Sequence, residues 1–447
     1  MINVALFLRQ YMLAKRRSRW SGRASFDRWR EREVIRHIAA VRRRSPFYRD
    51  WWETIPGAEW RSFPSIDKSV MMAHFDRLNT AGIRKEEAFA VADAAEASRQ
   101  FKPTLGGMTI GLSSGTSGNR GLFLVSANEQ ADWAGAMLGR MLPGSLLSRW
   151  RISFFLRANS NLYESVRSKR ISFAFHDLLV PMAEHVKQLQ QGRPDLIAAP
   201  PSVLRALADA IRTGALNAKP RRIISVAEVL DPLDRASIEQ AFGQAVHQVY
   251  QCTEGFLGCT CAHGTLHLNE DLVYIEKEYI ADKPRTFLPI VTDFRRLAQP
   301  IVRYRLNDLL VESEKPCPCG SLFTAIERIE GRCDDIFYAS SLKPEAAQPV
   351  AIYPDYVTRA VAGASDTIRQ YRAIQTAMDE WTIELDTSDE LRPEAEHRVR
   401  KAIRALSARL ACREPLLRFS PYTFTPGERK LRRVEQRMID KEAAPPC

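Results

Sequence analysis

The chain has 447 residues, 45% of them hydrophobic and 26% charged, enough for about three domains of ordinary length or one large domain with a smaller appendage. Those proportions exclude a wholly disordered, collagen-like or disulfide-scaffold protein and predict a packed core. The net charge of +12 is concentrated at one end, since the first fifty residues hold fourteen Lys/Arg against four Asp/Glu.

No stretch approaches the roughly 18 apolar residues that cross a bilayer. The opening apolar run, Ile2 to Leu8, is followed rather than preceded by its cations Arg9, Lys15, Arg16 and Arg17, the wrong order for a secretory signal. A cytoplasmic location is expected, and there the eight cysteines read as thiols or metal ligands before disulfides.

Residues 1–60 read as an Arg-rich helical segment, ending near Pro46 and again at Pro56-Gly57. Its arginines suit a solvated helix face, with Trp29, Val34, Ile35 and Ile38 packing onto the body. Nucleic acid or an anionic membrane is the alternative partner for that charge; no nucleic-acid-binding module accompanies it, so nucleic acid is not expected. Ser65 or Asp67 is available to cap a short helix. A Gly-rich break follows at Gly106 and Gly107. From Arg151 apolar strands alternate with helical patterns: strands at 152–156, 171–175, 196–199, 223–227 and 246–250, helices at 182–190, 201–212 and 232–242. That alternation predicts crossover units and a parallel sheet in an α/β fold. Strands without long helices (272–276, 287–291, 301–304) predict an antiparallel subdomain. Past Gly331 a smaller α+β unit is expected, with helices near 353–362 and 393–410 and strands near 371–375 and 381–385.

The segment Gly111 to Gly121 holds four glycines and four hydroxyl residues before the apolar run Leu122 to Val125. Glycines admit close backbone approach, and N–H and hydroxyl groups donate to anionic oxygens, so the composition suits phosphate; the alternative is a flexible surface loop. It is no Walker A loop, because no Gly-Lys-Ser/Thr follows at the required spacing.

The string Ser113-Ser114-Gly115-Thr116-Ser117-Gly118-Asn119-Arg120-Gly121 resembles the phosphate-binding motif of adenylate-forming enzymes. Further strings resemble that superfamily's motifs in the same order: Ala227-Glu228 beside the adenine, Tyr250-Gln251-Cys252-Thr253-Glu254, Arg303-Tyr304-Arg305-Leu306-Asn307-Asp308, Gly331-Arg332-Cys333-Asp334-Asp335 at the hinge, and Thr425 to Val434 around Lys430. Phe47-Tyr48-Arg49, Ile66-Asp67-Lys68-Ser69, Leu266 to Asp271, Cys317-Pro318-Cys319-Gly320 and Arg328 to Arg332 are similar to the phenylacetate-CoA ligase branch, which includes the deazaflavin-adenylylating (coenzyme F) synthetases.

The resemblance implies a large N-terminal adenylate-forming domain with parallel sheets and an antiparallel subdomain at 61–331, the segment 1–60 packed on it, and a small mobile C-terminal lid at 332–447. It implies ATP, Mg²⁺ and a carboxylic acid, an aromatic one expected, activated as an acyl adenylate with release of pyrophosphate and then passed to CoA. The loop from Ser113 would hold pyrophosphate, Thr253 the α-phosphate and Glu254 the Mg²⁺. Ala227, Glu228, Tyr250 and Gln251 would flank the adenine, Asp308 and Arg332 the ribose, with Asp334 as hinge. Lys430 would bridge carboxylate and α-phosphate, an ordinary basic surface turn being the alternative.

Some positions depart from the pattern. Arg120 stands where relatives often have Pro, and with the usual following Lys missing it is a candidate for supplying that charge. Gln251 and Ala227 replace glycines. Ile336 to Ser341 lacks the Arg-Gly step of the phenylacetate ligases, which puts the thioester half-reaction in question. The alternatives are AMP transfer to a hydroxyl acceptor, delivery of the adenylate to an amine or carrier protein, or a non-catalytic nucleotide or nucleic-acid binder. Phe154, Phe155, Tyr163 and Phe256 are candidate walls of an aromatic acyl pocket or plain core residues. A homodimer is left open.

Cys259, Cys261, His263 and His267 precede Cys317 and Cys319 by about fifty residues. Two soft-ligand clusters suit structural Zn²⁺, with Cys261, His267, Cys317 and Cys319 the preferred four and Cys259 and His263 as substitutes; unliganded buried thiols are the alternative.

Overall fold

A computed structural model describes residues 3–16, 20–113, 120–157, 161–281, 283–343, 345, 348–426 and 430–438. The chain divides into two compact units, one of Met1–Ala227, Ile238–Leu306 and Val311–Arg328, the other of Glu228–Ser237, Asn307–Leu310 and Ile329–Cys447.

The first unit opens with helices α1 (Val4–Lys15), α2 (Arg23–Arg44), α3 (Pro46–Trp51), α4 (Lys68–Ala73), α5 (Phe75–Leu78) and α6 (Lys85–Ala97). Phe26, Val34, Ile38 and Val41 form the buried stripe of α2, the spacing of one helix face. Two expectations fail here. Ile35 is exposed, because it lies a third of a turn from that stripe, and Arg30 is buried, its guanidinium 2.6 Å from Glu270 and 2.9 Å from Asp27.

Strands β1 (Thr104–Leu105), β2 (Met108–Leu112) and β3 (Leu122–Val125) form a small antiparallel sheet. Its Ile110, Leu122 and Leu124 share a core with Phe75, Ile83, Ala88 and Ala92. Helix α7 (Ala127–Met141) starts on a capping box between Ser126 and Glu129. Along α7, Gly135 and Gly139 face the backbone of α1: a Cβ at Gly139 would sit 2.7 Å from the Ala14 Cβ and 2.9 Å from the Tyr11 carbonyl oxygen. Only hydrogen fits there, so the two helices pack backbone to backbone.

There follow β4 (Trp150–Leu156), α8 (Asn161–Glu164), β5 (Ile171–Asp177), α9 (Met182–Gly192), β6 (Leu196–Ala199), α10 (Pro201–Arg212), β7 (Arg222–Ser225), α11 (Pro232–Phe242) and β8 (Val246–Cys252). Strands β5-β4-β6-β7-β8 pair in parallel, as the alternation of strand and helix predicts. Strands β9 (Gly255–Thr260), β10 (Leu266–Leu268), β11 (Tyr274–Ile280), β12 (Lys283–Asp293), β13 (Ile301–Arg305), β14 (Asp308–Glu312) and β15 (Ala325–Arg332) extend it into a twelve-stranded sheet of order β11-β12-β14-β15-β10-β9-β8-β7-β6-β4-β5, with β13 on β12. Pairing turns antiparallel between β8 and β9, so Thr253 and Glu254 occupy the turn where the sheet changes character. Strands β6 and β9 are buried along their whole length, as near-continuous apolar runs require.

The second unit contains β16 (Phe337–Ala339), β17 (Val350–Ile352), α12 (Pro354–Ala362), β18 (Gln370–Ala377), β19 (Glu380–Asp386), α13 (Arg392–Leu410), β20 (Leu416–Pro421) and β21 (Val434–Gln436). Its four-stranded sheet has the order β20-β19-β18-β21, and Val357, Tyr371, Trp381, Ile383, Val399 and Ile403 fill the core. Among the described residues no helix is long and apolar enough to cross a membrane.

Candidate functional site

In the first unit the β2–β3 hairpin presents the glycine-rich loop. Ser114, Gly115, Thr116, Ser117 and Gly118 lie outside the described residues. The neck of the loop is closed twice: Ser113 N–H donates to the Gly121 carbonyl (2.7 Å) and Gly121 N–H to the Ser113 hydroxyl (2.8 Å). The Lys68 side chain lies against this neck, so close that a Cβ at Gly121 would be 2.9 Å from its Cε. Arg120 turns the other way, its guanidinium pairing with Asp93 at 3.2 Å and with Glu96, both on α6.

Lys68 follows Asp67, which caps α4 by accepting from Val70 N–H at 2.9 Å. The preceding Ile66 is stitched to β13 by Ile66 N–H to the Arg303 carbonyl (3.0 Å) and Arg305 N–H to the Ile66 carbonyl (2.8 Å). This brings in Tyr304, the next residue after Arg303. Burial, and then the Glu254 carboxylate to which it hydrogen-bonds, push the Tyr304 phenol well above its ordinary pKa. Glu254 itself is buried. Across the turn, the Arg296 guanidinium donates to the Thr253 carbonyl and, at 3.3 Å, to the Leu124 carbonyl on β3. Gln299 completes the tie, accepting from Leu124 N–H at 2.8 Å and donating to the Leu122 carbonyl at 3.1 Å. The strand leaving the glycine-rich loop and the Thr253–Glu254 turn are thus joined through Arg296, which Gln299 braces against that strand. Beneath the turn lies Asp293, whose carboxyl burial pushes up to about 7.

Tyr250 is buried in β8. Gln251 accepts from the Trp133 indole N–H at 3.0 Å, and Trp133 meets Tyr163 edge-on at 5.9 Å, which in turn lies 4.8 Å from Phe154. Phe155 does not join this group: successive strand residues face opposite ways, and its ring stacks on His176 at 4.3 Å.

The second unit gathers another set. Ala227, where the first unit hands over to it, has φ +69°, the left-handed region that glycine adopts without cost. Glu228 accepts from the Leu431 N–H at 2.9 Å, which seats the residue following Lys430. Arg433 is buried with its guanidinium 2.6 Å from Asp234 and donates to the Tyr371 carbonyl at 2.9 Å, while the Tyr371 hydroxyl donates to Asp231 at 3.0 Å. Arg432 pairs with Asp335; burial pushes that carboxyl up to about 6, with Arg432 and Arg332 pulling against it. Arg332 also lies 3.3 Å from Asp308, and Asn307 donates to Asp334 at 2.8 Å. Glu228, Asp308, Arg332, Asp334 and the strand entry that carries Lys430 therefore belong to one connected polar network.

Back in the first unit, the donor atoms of Cys261, His267, Cys317 and Cys319 all lie within 4.8 Å of one another. Cys261 Sγ is 3.7 Å from Cys317 Sγ, and Cys319 Sγ is 3.4 Å from His267 Nε2. The other imidazole nitrogen, Nδ1, is 3.1 Å from the Phe323 carbonyl, which fixes the ring with Nε2 toward the sulfurs. Burial works against the Cys317 thiolate, but hydrogen bonds from Thr265, the Cys319 backbone and His267 outweigh it and lower its pKa; burial and the neighbouring sulfurs raise that of Cys319. Three sulfurs and one imidazole suit a closed tetrahedral zinc site. The substitutes stay outside: Cys259 Sγ is 3.5 Å from Asn269 Oδ1, and His263 is exposed on a turn.

Lys68, Arg296, Gln299 and Arg433 had no role in the sequence reading. Lys68 lies in the string Ile66-Asp67-Lys68-Ser69 and Arg433 in the segment Thr425 to Val434 around Lys430; Arg296 and Gln299 belong to no spacing pattern that marks chemistry.

No protein-family model matches the chain, and no curated protein matches it. Solved structures do. A 2-hydroxyisobutyryl-CoA ligase in its postadenylation state, in complex with R3-HIB-AMP, superposes with a TM-score of 0.71 at 19% identity, over 96% of this chain and 92% of that one. The acyl acid amido synthetase GH3.15 gives 0.57 at 12% identity, over 88% and 86%. An amide bond synthetase from Marinactinospora thermotolerans gives 0.54 at 14% identity, over 78% and 81%. The chain has the α/β fold of adenylate-forming ligases.

Proposed function

We propose that this protein activates a carboxylic acid as its acyl adenylate, using ATP and releasing pyrophosphate, and that CoA is the acceptor of the acyl group. The observation that carries the reading is the polar network of the second unit, in which Glu228, Asp308 and Arg332 are joined to the strand entry bearing Lys430. A fold used by ligases with acyl-AMP complexes supports it.

In the proposed reaction a carboxylate oxygen forms a bond to the α-phosphorus while the bond from that phosphorus to the bridging oxygen breaks and pyrophosphate leaves. An anion attacking a polyanion needs charge neutralised and both partners held in line. Lys430 supplies an ammonium between carboxylate and α-phosphate, and Thr253 a hydroxyl to the same phosphate. The loop entered at Ser113 holds the departing pyrophosphate. Lys68, at the loop's neck, takes the part that the sequence assigns to Arg120, whose guanidinium is occupied by Asp93 and Glu96. Asp308 accepts from the ribose hydroxyls. The buried Glu254 carboxylate, with the Tyr304 hydroxyl as its neighbour, suits a hard cation, and Mg²⁺ held there would supply positive charge to the phosphate oxygens. Zinc at Cys261, His267, Cys317 and Cys319 would be structural, since four protein ligands leave no position for a reacting water.

The acid is proposed to be aromatic, because Gln251 reaches the Trp133–Tyr163–Phe154 group through its hydrogen bond to Trp133. Amide-forming neighbours of the same fold favour an amine as the second candidate acceptor. A panel of ring-bearing carboxylic acids scored for ATP-dependent pyrophosphate release tests the first half, and CoA or an amine added to the responding acid tests the second. Lys430→Ala is expected to lower acid-dependent release by about a hundredfold or more while ATP binding, followed by calorimetry, persists. Failure of every acid to release pyrophosphate would remove the proposal.

A further inference from the structure

The +10 excess of the first fifty residues plays no part in the proposed chemistry, and α1 shows where some of it goes. Its inner face, including Tyr11 and Ala14, is spent on Gly135 and Gly139 of α7. The opposite face of a surface helix is ordinarily polar. On α1 the face opposite Tyr11 and Ala14 carries exposed Arg9 and Arg16, but the flank between the two is apolar: Val4, Leu8 and Met12, at the i, i+4, i+8 spacing of one stripe, are 59%, 47% and 49% exposed. Arg9, Lys15 and Arg16 are exposed beside them. Lys15 Nζ donates to the carbonyls of Leu142 (3.1 Å) and Gly144 (3.3 Å), so the end of α1 abuts the loop where Leu147 is 75% exposed and is followed closely by exposed Arg149.

We propose that the outer face of α1, with the adjoining Leu147 loop, docks the protein on an anionic lipid surface. Charge complementarity selects this occupant. Helix α1 carries no Asp or Glu, and an apolar stripe bordered by its cations matches acyl chains beneath negatively charged headgroups, lying in the plane of the interface without spanning it. Nucleic acid offers the charge but nothing for Val4, Leu8 and Met12 to enter, and a second copy of the same face would bring cation against cation. The docking is reversible, because one short stripe and a few cations anchor weakly and are screened by salt. The inference is independent of the acid that the protein activates and of whether it activates one.

The full-length protein is mixed with vesicles of pure phosphatidylcholine and of equimolar phosphatidylcholine and phosphatidylglycerol, then sedimented. Binding to the second and not the first is expected, falling about tenfold in Leu8→Glu/Met12→Glu, and by a smaller factor in Arg9→Gln/Arg16→Gln or in high salt. These side chains are exposed, and an unchanged melting temperature verifies that the variants fold. Absence of binding to the anionic vesicles, binding that survives the double glutamate change, or a dimer in light scattering that the same change dissolves would each overturn the proposal.

Discussion

The two units hold their candidate site residues by different physics. In the first, Arg296 and Gln299 grip backbone carbonyls and amides of β3 and of the Thr253 turn, and the nearby Asp293 keeps its proton up to about pH 7. In the second, Arg433 and Arg432 are buried or nearly so against the carboxylates of Asp234 and Asp335. A hydrogen bond to a neutral carbonyl can be lost for the desolvation of one group, whereas a buried ion pair that loses one member leaves an uncompensated charge. At the candidate site, therefore, the contacts of the second unit should be the more brittle under single substitutions; elsewhere the first unit has buried ion pairs of its own, Arg30–Glu270 and Arg140–Asp271.

Arg433→Ala is expected to cost about 3–5 kcal/mol in the second unit, as a loss of its urea midpoint, and Arg433→Ala/Asp234→Ala to recover part of it. Arg296→Gln should cost only about 1–3 kcal/mol; an equal or larger loss would erase the contrast. Next in size is the cysteine cluster. Cys317→Ser should lose the zinc that elemental analysis is expected to find in the parent protein, and lower the melting temperature by several degrees. Parent protein purified without chelators and free of zinc would refute the assignment.

Asp293 gives the pH test. Its folded pKa, about 7, lies above the ordinary 3.8, so the folded state holds the extra proton between those values. The stability it contributes is whole below about pH 4 and is lost as pH rises through 7. Unfolding free energy should fall by roughly 1–4 kcal/mol over that window, and Asp293→Asn should flatten the slope. The smallest effect is local: Ala227→Gly should stabilise by about 1 kcal/mol, because alanine at φ +69° carries a cost that glycine does not.

Much of this architecture was legible in the sequence, for reasons that vary with the element. Helices 201–212 and 232–242 and strand 196–199 are bounded by proline or glycine and have unambiguous periods, and they form where expected. Cys261, His267, Cys317 and Cys319 could be named because soft donors are rare and clustered; their gathering depends on β10 pairing with β9 and β15, which spacing only hints at. The rest depends on long-range contact. Nothing near Arg120 announces that Asp93 and Glu96, on a helix more than twenty residues upstream, will take its charge. Nor does local pattern bring Lys68 to Gly121, or Arg296 to both β3 and the Thr253 turn. Arg30 and Ile35 were misplaced because a stripe rich in arginine blurs which face of α2 is inward.

The seam between α1 and α7 has an evolutionary reading. Two codons, those of Gly135 and Gly139, decide whether the amino-terminal helix can seat as it does, since any side chain there must push it outward. A mutation at either site would thus be felt first in the register of the amino-terminal helix, and only through it in any surface that helix carries.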